Sequence, residues 1–364
     1  MSDQGHMLHA DPRQVKAGNW PDDGSADEKL LFLLQYAVLA PSILNSQPWR
    51  FSVGDGTVTL SEDRMRRLGS VDQHGREALI SCGGALFNLR TAACSFGAEP
   101  EIDLLAEAEA PAIATIRLGE AAAQASEEDR RLRDAIPERR TVRGRFEDRP
   151  IPSEFLDHLQ EAAAAEGARI AWSDDAERRR EVASVVAEAE RTHLSDPRYR
   201  DELRDWLRDR RREHHDSLRE VYARMGNPAG RTSVQPARPD EVTMNAASLM
   251  RGFAAADTAA ARQQAQVEAS PLVALLVTVG DTSADWLAAG KALQRVLLTA
   301  TAEGISASYL NPPIEQPRLR PRLAEIFGVT GHPQVLLRFG YHAPASPTPR
   351  RPLDEVVSFE SPNE

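Results

Sequence analysis

Two stretches of this chain carry side chains whose types and spacing could do chemistry on a small ligand. The first is PSILNSQPW, Pro41 to Trp49, where Ser42, Asn45 and Gln47 fall close together. Asn and Gln both donate and accept hydrogen bonds, and Ser adds a hydroxyl, so the loop could read the edge of a flat heterocycle that does both. A polar helix-to-strand turn is the plainer reading of the same spacing. The second is RRTVRGRF, Arg139 to Phe146, with Arg139, Arg140, Thr141 and Arg143 at its front. Guanidinium forks grip phosphate oxygens bidentately and stay charged at any relevant pH, which makes the run a candidate anion site. Its plainer reading is a solvated basic face. His214 and His215 stand beside Glu213 and Asp216, yet helical neighbours point about 100° apart and cannot chelate one ion from one face. No metal site follows, and no residue stands out as a catalytic acid or base.

Both stretches need rigid supports. Ser25 and Glu28 form a capping box ahead of Leu30 to Ala40, a run apolar enough for a helix buried on most of its circumference. Pro41 should stop that helix. Arg50 to Val53 and Thr57 to Leu60 flank Gly54-Asp55-Gly56 as a hairpin, and Glu77 to Phe96 predicts a second apolar helix closed by Gly97. Ala112 to Leu118 and Ile170 to Trp172 read as strands. Further helices are expected over Ala176 to His193, Tyr199 to Val221, Thr243 to Glu268, from Ala284, and over Leu319 to Phe327. Gly226 to Glu241 reads as a linker, Pro271 to Val279 as a central strand and Gln334 to Phe339 as another. Met1 to Gly24 has no period and reads as a loose arm. Trp206, Tyr222 and Met225 lie among the charged helices and read first as core packing.

The helix Gly83 to Gly97 aligns without gaps on Gly290 to Gly304. Gly83 falls on Gly290, Ala85 on Ala292, Leu86 on Leu293, Ala93 on Ala300 and Gly97 on Gly304. Each helix is followed by a similar tetrad, Ile116 to Gly119 and Leu337 to Gly340. The chain therefore reads as two copies of one α+β unit.

PSILNSQPW resembles the flavin-ring loop of the nitroreductase family, whose members set a P-S-x-x-N-x-Q-P-W element against FMN. The resemblance implies that Ser42 and Asn45 hydrogen-bond the flavin, that Pro41 and Ile43 line the ring, and that Gln47 belongs to the same site. Arg139, Arg140, Thr141 and Arg143 match the family's R-R-S-x-R grip on the FMN phosphate and ribityl chain. Arg350 matches its C-terminal arginine, where Arg351 could compensate for Thr348 in place of a lysine. Tyr309, Leu310, Asn311 and Pro312 match the strand that offers N–H groups to flavin N5 and O4, although Pro312 has none to give.

The fold implied is nitroreductase-like α+β, duplicated within one chain as a pseudo-dimer with a helical lid insert, as in the Acg-like branch. Its expected parts are an arm (1–24), a first half with the ring loop (25–135), and a second half with the phosphate site (136–364) that includes the insert (175–268). The function implied is FMN-dependent oxidoreduction from NAD(P)H to nitro or quinone acceptors. A flavin-holding protein whose lid excludes both substrates is the alternative, and an acidic scaffold without flavin is a third reading.

A net charge of −11 argues against non-specific nucleic-acid binding. Cys82 and Cys94 would lie about 18 Å apart on one helix and cannot pair. With no apolar run of membrane-span length and no signal-peptide core, a cytoplasmic protein is expected, and the internal pseudo-dimer that the resemblance implies makes it a monomer.

Overall fold

The computed structural model describes residues 7–105, 112–121, 125–213, 254–343 and 345–360. Helix α1, Ala26–Ala37, starts at the expected box: Ser25 Oγ accepts from the Glu28 N–H at 3.2 Å, and Glu28 Oε2 accepts from the Ser25 N–H at 2.9 Å. Leu30 to Ala37 are all buried, as the apolar run requires. Regular winding ends before Pro41 can act. The N–H groups of Leu39 and Ala40 reach back only three residues, to the carbonyls of Tyr36 and Ala37, a tightening common at helix ends.

The first sheet has the order β3-β4-β2-β1-β9. Strands β1 (Trp49–Gly54) and β2 (Thr57–Glu62) make the predicted hairpin, with Asp55 at φ 50° and Gly56 at φ 72° in its tip, as a two-residue turn demands. Helix α2, Arg76–Ser95, carries both cysteines as free thiols. Strand β3 (Ala98–Leu104), which its half-exposed sequence conceals, pairs antiparallel with β4 (Ala112–Ala121). Helix α3, Glu127–Glu138, precedes the arginine run.

The second sheet, β5-β6-β8-β7, is antiparallel throughout. Helix α4, Ser153–Ala164, leads into β5, Arg169–Ser173. Helices α5 (Ala176–Ser195), α6 (Pro197–Glu213) and α7 (Ala254–Glu268) come next. Then follow β6 (Leu272–Thr278), α8 (Ser283–Ala302), β7 (Ser306–Tyr309), α9 (Arg320–Phe327) and β8 (His332–Gly340). All seven residues of β6 are buried. Residues of α4 and α8 pack in one core with this sheet, and residues of α5, α7 and α9 in another, which is why β6 is apolar without alternation. The final strand, β9 (Val357–Phe359), crosses back to lie parallel to β1, pairing Phe51 with Val357.

The two sheets meet through α2 and α8. A Cβ on Gly83 would strike the Leu287 carbonyl oxygen and lie 3.0 Å from the Gly290 Cα; a Cβ on Gly290 would strike the Ile80 carbonyl and lie 2.9 Å from the Gly83 Cα. Gly83 and Gly290 are 207 residues apart (290 − 83), and so are Ile80 and Leu287 (287 − 80). The contacts are thus exchanged as across a two-fold axis. Gln294 Nε2 donates to Asn88 Oδ1 at 2.6 Å at the same crossing. The buried Glu166 carboxylate gathers Arg90, Lys291 and Arg295 from the two helices.

Residues 7–24 are anchored rather than loose. Trp20 stacks on Phe96 at 4.5 Å and meets the edge of Phe32, and Arg13 donates to the carbonyls of Thr348 and Pro137. Single aromatic and arginine anchors leave no period, so the sequence pattern misses them. His214, His215, Tyr222, Met225, the linker Gly226 to Glu241 and the first part of the Thr243 helix lie outside the described residues.

Adjacent glycines on α2 test the crossing. Gly83→Ala forces a methyl into backbone and should cost about 1–3 kcal/mol or more. Gly84→Ala, whose Cβ would find only side-chain atoms at 3.7 and 3.8 Å and a backbone oxygen at 3.8 Å, should be neutral or gain up to about 1 kcal/mol of helix propensity. Denaturant unfolding of the two variants should therefore give opposite signs.

Candidate functional site

The loop after α1 is held in a costly shape. Leu44, Asn45 and Gln47 have φ of 45°, 57° and 50°, a region that costs a non-glycine residue about 1–3 kcal/mol. Local bonds compensate in part: the Gln47 N–H donates to Ser42 Oγ at 2.9 Å, and Arg66 Nε donates to the Ser46 carbonyl at 2.6 Å. The C-terminal segment supplies the rest. Asn45 Nδ2 donates to the Pro349 carbonyl at 3.0 Å, Arg350 Nη1 donates to Asn45 Oδ1 at 3.0 Å, and the Arg351 N–H donates to Gln47 Oε1 at 3.0 Å. Arg350 Nη2 also caps α1 through the Leu39 and Ala40 carbonyls, at 3.1 and 3.0 Å.

Several sequence assignments change here. Gln47 is only 1% exposed and spends its amide on Asn45 O and the Arg351 N–H, so it shapes the loop and does not face a ligand. Arg351 donates through Nε and Nη2 to Glu355, which leaves its buried Nη1, without a hydrogen-bond partner among the described residues, for any further contact. The Leu310 N–H donates to the Leu336 carbonyl and its side chain is core, so it offers nothing to a cofactor edge. Arg350 is first of all a clamp on the ring loop. Pro41 is buried, while Ser42 and Ile43 stay half-buried.

The arginine run leaves α3 at Arg139 and lies along β7. Thr141 bridges Ala307, and the Val142 N–H donates to the Ala307 carbonyl at 3.0 Å. Arg139 is 4% exposed; its Nη1 donates to Thr141 Oγ1 at 3.3 Å, and its Nε has no hydrogen-bond partner among the described residues. Arg140 is half-buried and donates to the carbonyls of Pro137 and Arg139. Arg143 is exposed. The Tyr309 hydroxyl is buried with no partner among the described residues. Burial pushes it up to about 12, against the pull of Arg139, Arg350 and Arg143, which places those guanidinium groups within electrostatic reach of one phenol.

Arg13 joins this group unannounced by any motif. Burial first, then Arg140 and Arg139, push it down to about 10. Asp11 and Glu138 act on Arg13 in the opposite sense, and a group of guanidinium charges favours an anion among them. The direct Asn45–Arg350 bond joins this basic group to the ring loop.

Helix α6 covers the ring loop. Trp206 Nε1 donates to the Leu44 carbonyl at 3.3 Å beneath the Arg66 guanidinium, 5.2 Å from its ring. Trp206 is half-buried at the site edge, not a core residue. Glu202 accepts from the N–H groups of Gly69 and Ser70, at 2.7 and 2.9 Å, and from the Ser70 hydroxyl. Asn311 is fixed on both ends of its amide, by Glu77 Oε1 at 3.0 Å and the Leu336 N–H at 3.1 Å. Among the described residues no group of His, Cys, Asp and Glu could hold a metal ion.

The nitroreductase family model matches residues 136–341. The chain is 31% identical over 339 residues to Rv3131 of Mycobacterium tuberculosis, covering 91% of this chain and 92% of the relative. Another relative from that organism, acg, is 31% identical over 342 residues, covering 92% of this chain and 97% of the relative. Both are named provisionally as NAD(P)H nitroreductases. The solved FMN-dependent nitroreductase NfnB from Mycobacterium smegmatis, in complex with NADPH, superposes with a TM-score of 0.39 at 17% identity, covering 65% of this chain and all of that one.

Two arginines separate a buried clamp from an exposed position. Arg350→Ala should lower stability by roughly 1.5–3 kcal/mol through lost charge-assisted bonds, read by denaturant unfolding. Arg143→Ala, at an exposed position, should stay within about 0.5 kcal/mol of wild type.

Proposed function

The chain belongs to the nitroreductase family, and from that premise we propose that it holds one FMN between the ring loop and the arginine run and passes electrons from NAD(P)H to a nitro or quinone acceptor. One observation carries the reading: Asn45 of the ring loop and Arg350 bond directly at 3.0 Å, while Arg139 Nε and the Tyr309 hydroxyl are buried without partners among the described residues. Donors left dry and unpaired are costly, and a phosphate would satisfy both while neutralising the guanidinium groups. Bound there, FMN would supply the two-electron chemistry.

The chain's own residues bind and orient. Arg139, Arg140, Thr141 and Arg143 line the phosphate end, with Arg13 fastening Pro137 to Thr348 behind them. Ser42 and Ile43 face the ring from the strained loop, and Arg350 holds that loop in place. Asn311 stands at the ring's far edge, with its amide locked and its backbone N–H left to serve. Helix α6 excludes water from the ring loop as a lid. The parts at 25–135 and 136–364 act as halves of a pseudo-dimer, so the chain works as a monomer. Its free thiols fit a reducing, cytoplasmic setting.

A second reading, FMN storage without turnover, draws on the Trp206 and Glu202 contacts that close α6 over the loop and on Pro312, which cannot donate an N–H. Protein purified yellow and releasing FMN on denaturation supports both readings, and colourless protein that takes up no added FMN rejects them. Anaerobic stopped-flow mixing with NADH or NADPH then separates them: rapid bleaching marks the oxidoreductase, and an unchanged spectrum marks storage. Arg139→Ala should weaken FMN binding by about tenfold or more, read by flavin fluorescence. In the storage case, Trp206→Ala should turn an unchanged spectrum into a bleaching one.

A further inference from the structure

Beside Asn311 lies a group of buried carboxyls that the reading above leaves without a task. Glu77, on the first turn of α2, is 4% exposed. Its Oε1 accepts from Asn311 Nδ2 and Arg76 Nη2, each at 3.0 Å, while its Oε2 has no hydrogen-bond partner among the described residues. Glu315 belongs to the same turn as Asn311, since its N–H donates to the Asn311 carbonyl at 3.3 Å. The turn is thus tied to α2 by one bond from Glu77 and carries a second carboxyl within electrostatic reach of it.

The charged groups around the pair come from every neighbouring element. Asp72, ahead of α2, caps that helix by accepting from the Glu77 and Ala78 N–H groups at 3.0 and 2.9 Å. Arg76 also donates to the Gln334 carbonyl on β8 at 2.7 Å. From α5 come Glu190 and His193, the latter 3.5 Å from Glu315 Oε2. From α6 comes Tyr199, its ring 4.9 Å from that of His193. Four carboxyls gather with two guanidinium groups, Arg76 and, acting on Asp72, Arg67, and two ionised carboxylates cannot share so dry a place at low cost.

We propose that Glu77 is a positioning residue for Asn311: its buried carboxyl holds the Asn311 amide, and when Glu77 and Glu315 are both ionised their repulsion drives Glu315 and its turn away from α2, loosening the hold on Asn311. Burial raises Glu77 to about 7, opposed mainly by Arg76. Burial, then Glu77, raises Glu315 well above the ordinary carboxyl range. Burial alone raises Glu190 to about 7, and burial, opposed by Asp196, lowers His193 to about 4, which weakens the imidazole as a counter-charge to Glu315. Carboxyls raised in the folded state stabilise it fully below their ordinary range, and that stability is lost as pH rises through about 7.

The inference rests on the FMN reading only where flavin is the reporter, so the test has two parts. Thermal unfolding of the flavin-free chain between about pH 5 and 8.5 should show wild type losing stability as pH rises, with a shallower slope in Glu315→Gln and in Glu77→Gln. In the FMN-loaded protein, the dissociation constant should rise about three- to tenfold across the same window and the flavin spectrum should shift with it. Both responses should be lost in the two glutamine variants, which still bind FMN. A flat wild-type profile, or variants that keep the wild-type slope, overturns the proposal. A chain that binds no FMN yet shows the unfolding slopes refutes the cofactor reading and leaves the carboxyl pair standing.

Discussion

The crossing of α2 and α8 at Gly83 and Gly290 is the constraint on which the architecture depends. Two helices approach so closely only where neither carries a side chain, and here each glycine lies against the carbonyl of the other helix's matching residue. The reciprocity explains why neither half can close its core alone. Leu287 and Leu298 of α8 complete the core around α1 and the first sheet, and Ile80 of α2 completes the core under the second. A gap between these helices would open both cores and separate the surfaces that carry the site.

The ring loop shows how that arrangement is used. Its three left-handed non-glycine residues would relax in isolation, because the Gln47 N–H to Ser42 Oγ bond within the loop offsets only part of the strain. Residues 349–351, some 300 positions later in the chain, hold it by pairing with both amides, and β9 pins the same segment to β1. The tail is therefore part of the first sheet's structure as much as of the second half's. Arg350 links the two tasks, since one guanidinium caps α1 and fixes Asn45.

Much of this was legible in the sequence. The capping box at Ser25, the glycine hairpin, the uninterrupted apolar run of β6 and the repeated helix all express local physics, and each is found where its pattern placed it. The family motifs could be recognised at Pro41 to Trp49 and Arg139 to Phe146 because each is contiguous in the chain. The roles of Gln47, Arg350 and Arg351 were not legible. Whether a polar group faces a ligand or a backbone carbonyl depends on a partner hundreds of residues away. Arg13 and Glu77 were missed for the same reason: each acts through segments that sequence spacing does not connect. Strands β3 and β9 escaped because one is half-exposed and the other is three residues long.

A family whose chemistry belongs to its cofactor asks the protein chiefly for shape and charge, and here both come from opposite ends of one chain. The claim that these ends form a single site is tested most directly by a double-mutant cycle on FMN affinity with Asn45→Ala and Arg350→Ala. The account predicts strong non-additivity, a coupling of about 0.5–3 kcal/mol, because either change releases the same bond. Effects that simply add would mean the two residues act at separate places, and the shared site would be contradicted.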